Sequence, residues 1–284
     1  MAVAVLGYAS ADRTFAVPAL PDPDTTAIVR RLARQWPRLG GCGPQIAVEL
    51  ARRGIPVACL TWVGDDAVGR ALVAELDDAG ADTGGVVVAG ARTAESYITY
   101  GADGRSVCFY DPGDAHRSGV SDAQRRAIAD AAFVCLTVAP AAATRAALAE
   151  VRADARVLWS VKADPDAYPP DVVEALLERA DAVVHAEGEA PFLRRQAPSW
   201  SPGPQTLVVE TRGQRGVRWT WRGREAVVPV QPIGIADTTG AGDAFVAGLV
   251  AHLSVQPDDA DGAVRAGVET SRALLVARGE EERP

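Results

Sequence analysis

Apolar residues in this chain fall into short β-rich runs, separated by stretches in which they recur every three or four positions. The runs Ala2–Leu6, Val57–Val63, Phe133–Val138, Arg156–Ser160, Ala182–His185 and Thr206–Thr211 read as strands. Between them Gln45–Arg53, Ala67–Ala79, Asp122–Ala131, Ala141–Val151, Asp171–Arg179 and Glu187–Arg195 read as amphipathic helices. Strict alternation of this kind predicts an α/β fold, a largely parallel sheet with helices on both faces. Ala241–Leu253 and Asp258–Ala277 read as a closing helical pair, with Gly279–Pro284 as a frayed tail.

The rhythm breaks in two places. Ser96–Tyr100 and Ser106–Tyr110 flank the turn Gly101-Ala-Asp-Gly104, a hairpin signal with no helix between the strands. The proline-rich segment Pro18–Asp24 holds the first strand well apart from the first helix. A small β-structure standing off the main sheet accounts for both. Two surface excursions without a role are the plainer alternative. A further hairpin, Val217–Trp221 turning at Arg222-Gly-Arg224, belongs to the C-terminal part of the main domain.

Composition narrows the class. With 284 residues, 48% of them hydrophobic, the chain can build one large α/β domain or two small ones. No stretch approaches the ~20 apolar residues of a membrane span. The opening Met1–Gly7 lacks a basic region and reads as a strand, not a signal peptide, so the expected address is cytoplasmic. A formal charge of −8 argues against a nucleic-acid scaffold, but not against a nucleotide substrate held by local amides or arginines. The four cysteines form no C-x-x-C pair and there are three histidines, which argues against a zinc site or a disulfide framework.

The richest chemistry lies in Asp237-Thr-Thr-Gly-Ala-Gly-Asp-Ala-Phe245. Small residues at Gly240, Ala241 and Gly242 let the backbone turn tightly and bring its N–H groups to a ligand. The apolar pattern that follows starts a helix, whose bare amides and partial positive charge suit a phosphate. Asp243 falls in the first turn, where it can take a proton from an attacking hydroxyl. A lone Asp at that position would only cap the helix, but capping needs neither the glycines nor the preceding Asp-Thr-Thr. The run has no Gly-Lys-Ser/Thr, so it is not a Walker loop. It also lies far from the first βαβ unit, where a dinucleotide fingerprint belongs.

On this run the chain resembles the ribokinase-like, pfkB-type carbohydrate kinase family, whose signature is D-T-x-G-A-G-D. The resemblance implies a three-layer α/β/α fold with a small β lid, in a single domain over 1–284 with lid segments near 13–35 and 93–112. It implies ATP with Mg2+ as donor, leaves a monovalent cation open, and makes Asp243 the base with Gly240, Ala241 and Gly242 as the anion hole. Asp237 and Thr238 join Gly240 and Gly242 on the ATP side. The family pattern G-G-x-x-x-N then G-x-D-x-x-G is met by Gly40 and Gly41, with Gln45 in the Asn position, and by Gly64, Asp66 and Gly69. Gln45 keeps the amide but adds a methylene, which reshapes the acceptor pocket. Asp12 matches the family's substrate carboxylate, which can accept two adjacent hydroxyls.

Thr211-Arg-Gly-Gln-Arg-Gly216 resembles the family's T-x-G-x-x-G, which places Thr211, Gly213 and Gly216 at the nucleotide. The N-x-x-E motif keeps Glu189, a partner for magnesium-bound water, but has Ala186 for its Asn. Lys162 falls where the family faces the phosphates, either as a contacting cation or as an exposed side chain. The implied acceptor is the hydroxyl of a sugar, a sugar acid or a nucleoside. A phosphorylated sugar is less favoured, since the N-terminal half shows no arginine pair for a second phosphate. A catalytically silent binding protein on the same fold is the rival from another class. The exposed lid edge is where a second copy would pair.

Overall fold

The computed structural model describes residues 2–32, 36–103, 105–235 and 237–281. Strand β1 (Val3–Leu6) leads directly into an excursion of three strands, β2 (Ser10–Val17), β3 (Arg30–Arg31) and β4 (Arg38–Gly40). Helix α1 (Cys42–Arg52), β5 (Val57–Val63), α2 (Ala67–Ala79) and β6 (Val86–Val88) return the chain to the main layer. A hairpin of β7 (Glu95–Gly101) and β8 (Ser106–Asp111) rejoins the excursion. Then come α3 (Asp122–Asp130), β9 (Phe133–Leu136), α4 (Ala141–Glu150), β10 (Arg156–Ser160), α5 (Pro170–Arg179), β11 (Ala182–Ala186) and α6 (Ala190–Gln196). The chain closes with β12 (Leu207–Thr211), β13 (Val217–Trp221), β14 (Arg224–Val228), α7 (Ala241–Val255) and α8 (Ala260–Glu281).

Nine strands form the main sheet in the order β14-β13-β12-β11-β10-β9-β1-β5-β6, parallel except for the β12–β13–β14 meander. Period-two alternation splits its side chains between two cores. Val3, Val5, Phe133 and Cys135 pack with Ile46, Leu50, Leu249 and Val264. Ala4, Leu6, Val134 and Leu136 pack on the other face with Ile128, Val172, Leu176 and Phe192. The result is the expected three-layer α/β/α arrangement. Among the described residues no helix is long and apolar enough to cross a membrane.

The second sheet runs β3-β2-β7-β8, with β4 on β2. Strand β2 was not legible as one. Asp12 stands within it, paired across from Arg38 of β4. Hydrophobic periodicity misses β2 because Ser10, Asp12 and Thr14 are buried polar residues, each satisfied by side-chain bonds. Helix α1 starts three residues earlier than expected, at Cys42, because Pro44 in a first turn needs no N–H. Helix α8 runs through Gly279 to Glu281, where a frayed tail was expected. Positions 33–35 of the expected lid, Gly104 of the hairpin turn and 282–284 lie outside the described residues.

Asp66 ties the two sheets together. Its Oδ1 accepts the Gly69 N–H (2.7 Å) as the N-cap of α2, and its Oδ2 accepts the Thr93 N–H (2.7 Å) just before β7. Partial burial works to raise its pKa, but these bonds hold it below the ordinary carboxylate value. Asp66→Ala should lower unfolding stability by about 1–2 kcal/mol, seen as an earlier denaturation midpoint. An unchanged midpoint would show that neither bond matters.

Candidate active site

Five parallel strands, β5, β1, β9, β10 and β11, carry the chain to one edge of the sheet, and β12 ends beside them. A cleft outside the carboxyl ends of parallel strands is where α/β sheets bind ligands. The starts of α1 and α7 meet at this edge. Gly43 in the first turn of α1 packs on Gly7 at the end of β1, and the α1 thiol of Cys42 reaches both Thr137 and Asp243.

The turn into α7 is built around Gly240, whose φ of 77° lies in the left-handed region. A Cβ there would also push the Gln45 side chain aside, but it is the left-handed backbone that calls for glycine. Ala241, Gly242 and Asp243 are the first three helical positions, whose N–H groups have no partner inside the helix. Ala241, expected among the anion-binding amides, instead closes the turn on the Thr238 carbonyl at 3.1 Å. The N–H groups of Gly240, Gly242 and Asp243 have no acceptor among the described residues. Asp243 itself is 8% exposed. A carboxylate so buried beside bare amides can accept a proton next to a place where negative charge is stabilised.

Asp12 approaches from the second sheet. Its carboxylate fills the space where Gly40 would carry a Cβ, and it accepts Ser10 Oγ at 2.5 Å. Burial pushes its pKa up to about 6, against the bonds from Ser10 and Ser96, and the Asp243 charge pushes the same way. Tyr110 of β8 stands over this side. Its ring lies 5.9 Å from that of Tyr8, and burial raises the pKa of its hydroxyl.

Opposite them stands Lys162, two residues past β10. Its ammonium lies 3.9 Å from Glu189 Oε1, and the Cys42 sulfur and the Asp243 and Glu189 carboxylates around it raise its pKa. The other Glu189 oxygen accepts the Ala186 N–H at 2.7 Å, so Glu189 is folded back on the turn that follows β11. Burial raises its pKa and Lys162 lowers it. Thr211 ends β12, and the loop after it closes through the Arg212 N–H on the Gly216 carbonyl at 3.0 Å. Arg215 on that loop pairs with Glu187, joining the ends of β12 and β11.

Asp237 is 1% exposed, and its oxygens are taken by the protein. Oδ1 accepts the Thr239 N–H (2.9 Å) and lies 3.6 Å from Arg278 Nη1. Oδ2 accepts Arg38 Nη1 (2.7 Å) and Thr14 Oγ1 (3.3 Å). Burial works to raise its pKa, but Thr239 and the two guanidiniums keep it below the ordinary carboxylate value. This carboxylate is the buried acid that precedes the turn. Among the described residues no cluster of three His, Cys, Asp or Glu side chains could hold a metal by itself. Glu189 suits a magnesium ion that arrives on a nucleotide with most of its water.

The structure thus brings Asp12, Gly40, Gly41, Gln45, Glu189 and the 237–243 run to one cleft edge, with Thr211 and Gly213 at its end. Sequence reasoning missed Arg38, Tyr100, Tyr110 and Arg278, which carry no motif. A cavity of about 460 Å³ borders Gly40, Gln45 and Gly240, with neither Asp12 nor Asp243 in its walls.

Comparison with known proteins agrees with this geometry. The pfkB family carbohydrate kinase profile matches residues 2–281. Fructokinase-1 of Oryza sativa subsp. japonica is 32% identical over 248 residues, covering 77% of this chain and 74% of the relative. The ATP-dependent ribose-1-phosphate kinase of Halopiger xanaduensis is 28% identical over 282 residues, covering 95% and 94%. The solved ribokinase from Cryptococcus neoformans in complex with ADP superposes with a TM-score of 0.78 at 20% identity, covering 98% of each chain, which identifies the fold as ribokinase-like.

The Asp12 carboxyl makes a sign-specific prediction. The folded protein keeps a proton on it between pH about 4 and 6 that the unfolded chain releases, so stability falls as pH rises through that window. Asp12→Asn should therefore be more stable than the parent at pH about 8, by up to roughly 3 kcal/mol, and equal to it at pH about 4. Urea denaturation at the two pH values measures this, and a less stable variant at pH about 8 would contradict the burial argument.

Proposed function

This chain belongs to the pfkB family of carbohydrate kinases, ATP-dependent phosphotransferases with an alcohol acceptor, and within that chemistry we propose Asp243 as the catalytic base. Asp243 takes the proton from the acceptor hydroxyl as its oxygen attacks the γ-phosphorus. The bond from that phosphorus to the bridging oxygen breaks, and ADP leaves with the electron pair. The Gly242 and Asp243 amides, with Gly240 setting the turn, face the charge on the transferring group. The observation that carries this reading is the buried Asp243 carboxylate sharing one helical turn with unpaired N–H groups.

Asp12, Gly40, Gly41 and Gln45 hold the acceptor, with Asp12 accepting its hydroxyls. Thr211, Gly213 and Gly216 line the nucleotide, and Asp237 and Thr238 contribute the shape of the turn. Lys162 places its ammonium on the transferring phosphoryl, where Ala186 offers no side chain. Glu189 would hold the water of a magnesium ion arriving with the nucleotide, and the ion would supply charge neutralisation for the phosphates. The whole chain acts as one kinase domain in which the second sheet is the lid.

A sugar is the acceptor that the Asp12 site suits best. The Tyr8–Tyr110 ring pair beside it favours a nucleoside as the second reading, because a base can stack there. Four free cysteines support a cytoplasmic address. Exposed Val107, Phe109 and Tyr97 on the lid sheet support a homodimer formed there. Phe109→Ser should shift such a dimer to monomer in sedimentation velocity; a parent that sediments as a monomer at all concentrations rules it out.

ADP release, followed over a panel of sugars and nucleosides, tests the main reading. With the best acceptor, Asp243→Asn should lower kcat by about 10²- to 10⁴-fold while ATP affinity holds. Lys162→Met should lower kcat by roughly 10²-fold. Near-normal turnover by the Asp243 variant would remove it as the base.

A further inference from the structure

Side chains on one face of the second sheet stand in cross-strand rows. Strands β2 and β7 are parallel with Asp12 beside Ser96, and β7 and β8 are antiparallel with Ser96 beside Tyr110. Neighbours across strands share a face, so Asp12, Ser96 and Tyr110 form one row. Tyr100 follows Ser96 in the same alternation along β7, and its Oη is 2.8 Å from Thr239 Oγ1. The row therefore lies on the face turned to the start of α7. Tyr97, Val107 and Phe109 alternate with these residues and are exposed on the opposite face.

Ser10, Asp12 and Ser96 are all buried, and two hydroxyls converge on one carboxylate. Ser10 Oγ donates to Asp12 Oδ1 at 2.5 Å from within β2, and Ser96 donates to the same side chain from β7. Asp12 Oδ2 stands over Gly40, which fixes the carboxylate between β2, β7 and β4. A donating hydroxyl favours the charged form of a carboxylate, whereas burial and a like charge oppose it. Around Asp12, burial and Asp243 of α7 oppose ionisation, while Ser10, Ser96 and Arg278 of α8 favour it. Cys108 and Tyr110 of β8 also lie near it, and burial raises the pKa of both, so they stay neutral where Asp12 titrates. Arg38, opposite Asp12 on β4, bonds Asp237.

We propose that Ser10 and Ser96 are positioning residues for the acceptor, holding Asp12 in its charged, hydroxyl-accepting form above Gly40. The proposal rests on the reading of Asp12 as the carboxylate that holds the acceptor. Ser10 and Ser96 act through it and touch no reacting atom. A charged Asp12 offers only acceptor sites, which match the hydroxyls of a sugar; its protonated form must donate from one oxygen. Acceptor affinity therefore follows the ionisation of Asp12, which the two hydroxyls carry towards lower pH.

The test is the acceptor KM and kcat across the acid and neutral range, at saturating magnesium and ATP with the best acceptor. For the parent, KM should rise about tenfold from pH about 7 to pH about 5, the window set by an Asp12 pKa of about 6. Loss of one donor should move that rise up by about one pH unit, the scale of a hydrogen bond to a charged group. Ser96→Ala should then have a KM roughly five times the parent's at pH about 6, narrowing to within about twofold at pH about 8. Ser10→Ala should do the same. The shift should appear in KM and not in kcat. Asp12→Asn should have a raised KM with no acid limb, because an amide does not titrate there.

Urea denaturation over the same range reads Asp12 without catalysis. Its raised pKa in the folded protein means that stability falls as pH rises, levelling off above about 6 in the parent. In either serine variant the levelling-off should move to about 7. A KM ratio independent of pH, a levelling-off that stays where it is in the parent, or an acid limb surviving in Asp12→Asn would each overturn the proposal. If Ser96→Ala does not fold, Ser10→Ala carries the same test from the other donor. A parent that phosphorylates no acceptor strikes the kinase reading, and this inference with it. An active parent whose serine variants keep its KM profile strikes the inference alone.

Discussion

A helix that begins in a cleft presents peptide N–H groups that the protein cannot satisfy, and the remaining site is arranged around the start of α7 for that reason. Gly240 bends the chain so that Ala241 closes the turn and Gly242 and Asp243 stay bare. Placing a buried carboxylate at the third of these positions puts a proton acceptor beside an electropositive hollow. Lys162 balances that carboxylate from the end of β10, and Cys42 reaches it from α1 without adding charge.

In the proposed reaction the main sheet and the second sheet supply different halves of the chemistry. Parallel strands deliver the phosphate side, through Lys162, Glu189 and Thr211, because their carboxyl ends share one edge. The acceptor side comes from β2 and β4, where Asp12 sits against Gly40. The halves meet at Asp237, which belongs to the turn yet is bonded mainly by residues from outside it. Burial of Asp12 costs stability at neutral pH, a cost typical of a carboxylate kept ready for a substrate.

Much of this could be read from residues alone. The main strands were legible as short apolar runs and the helices as stretches with apolar residues every three or four positions, and the Asp237–Phe245 run was legible because glycine spacing betrays a tight turn before a helix. Strand β2 was hidden because its inward residues are polar, and Ser10, Asp12 and Thr14 look like surface until their partners are known. The Asp237 cage was hidden for a related reason. Arg38 and Arg278 lie 240 positions apart in the chain and sit in no motif. Ala241 failed as an anion donor because no spacing rule tells which amide of a turn is used to close it.

Phosphoryl transfer in the proposed reaction depends on the direction of the α7 amides. A crystal structure of the chain with ADP, magnesium, aluminium fluoride and the acceptor addresses it directly. Fluorides within hydrogen-bond distance of the Gly242 and Asp243 N–H groups, with the Asp243 carboxylate on the acceptor hydroxyl, are the expected result. A metal fluoride bound away from this turn, or an Asp243 side chain facing neither ligand, would contradict it.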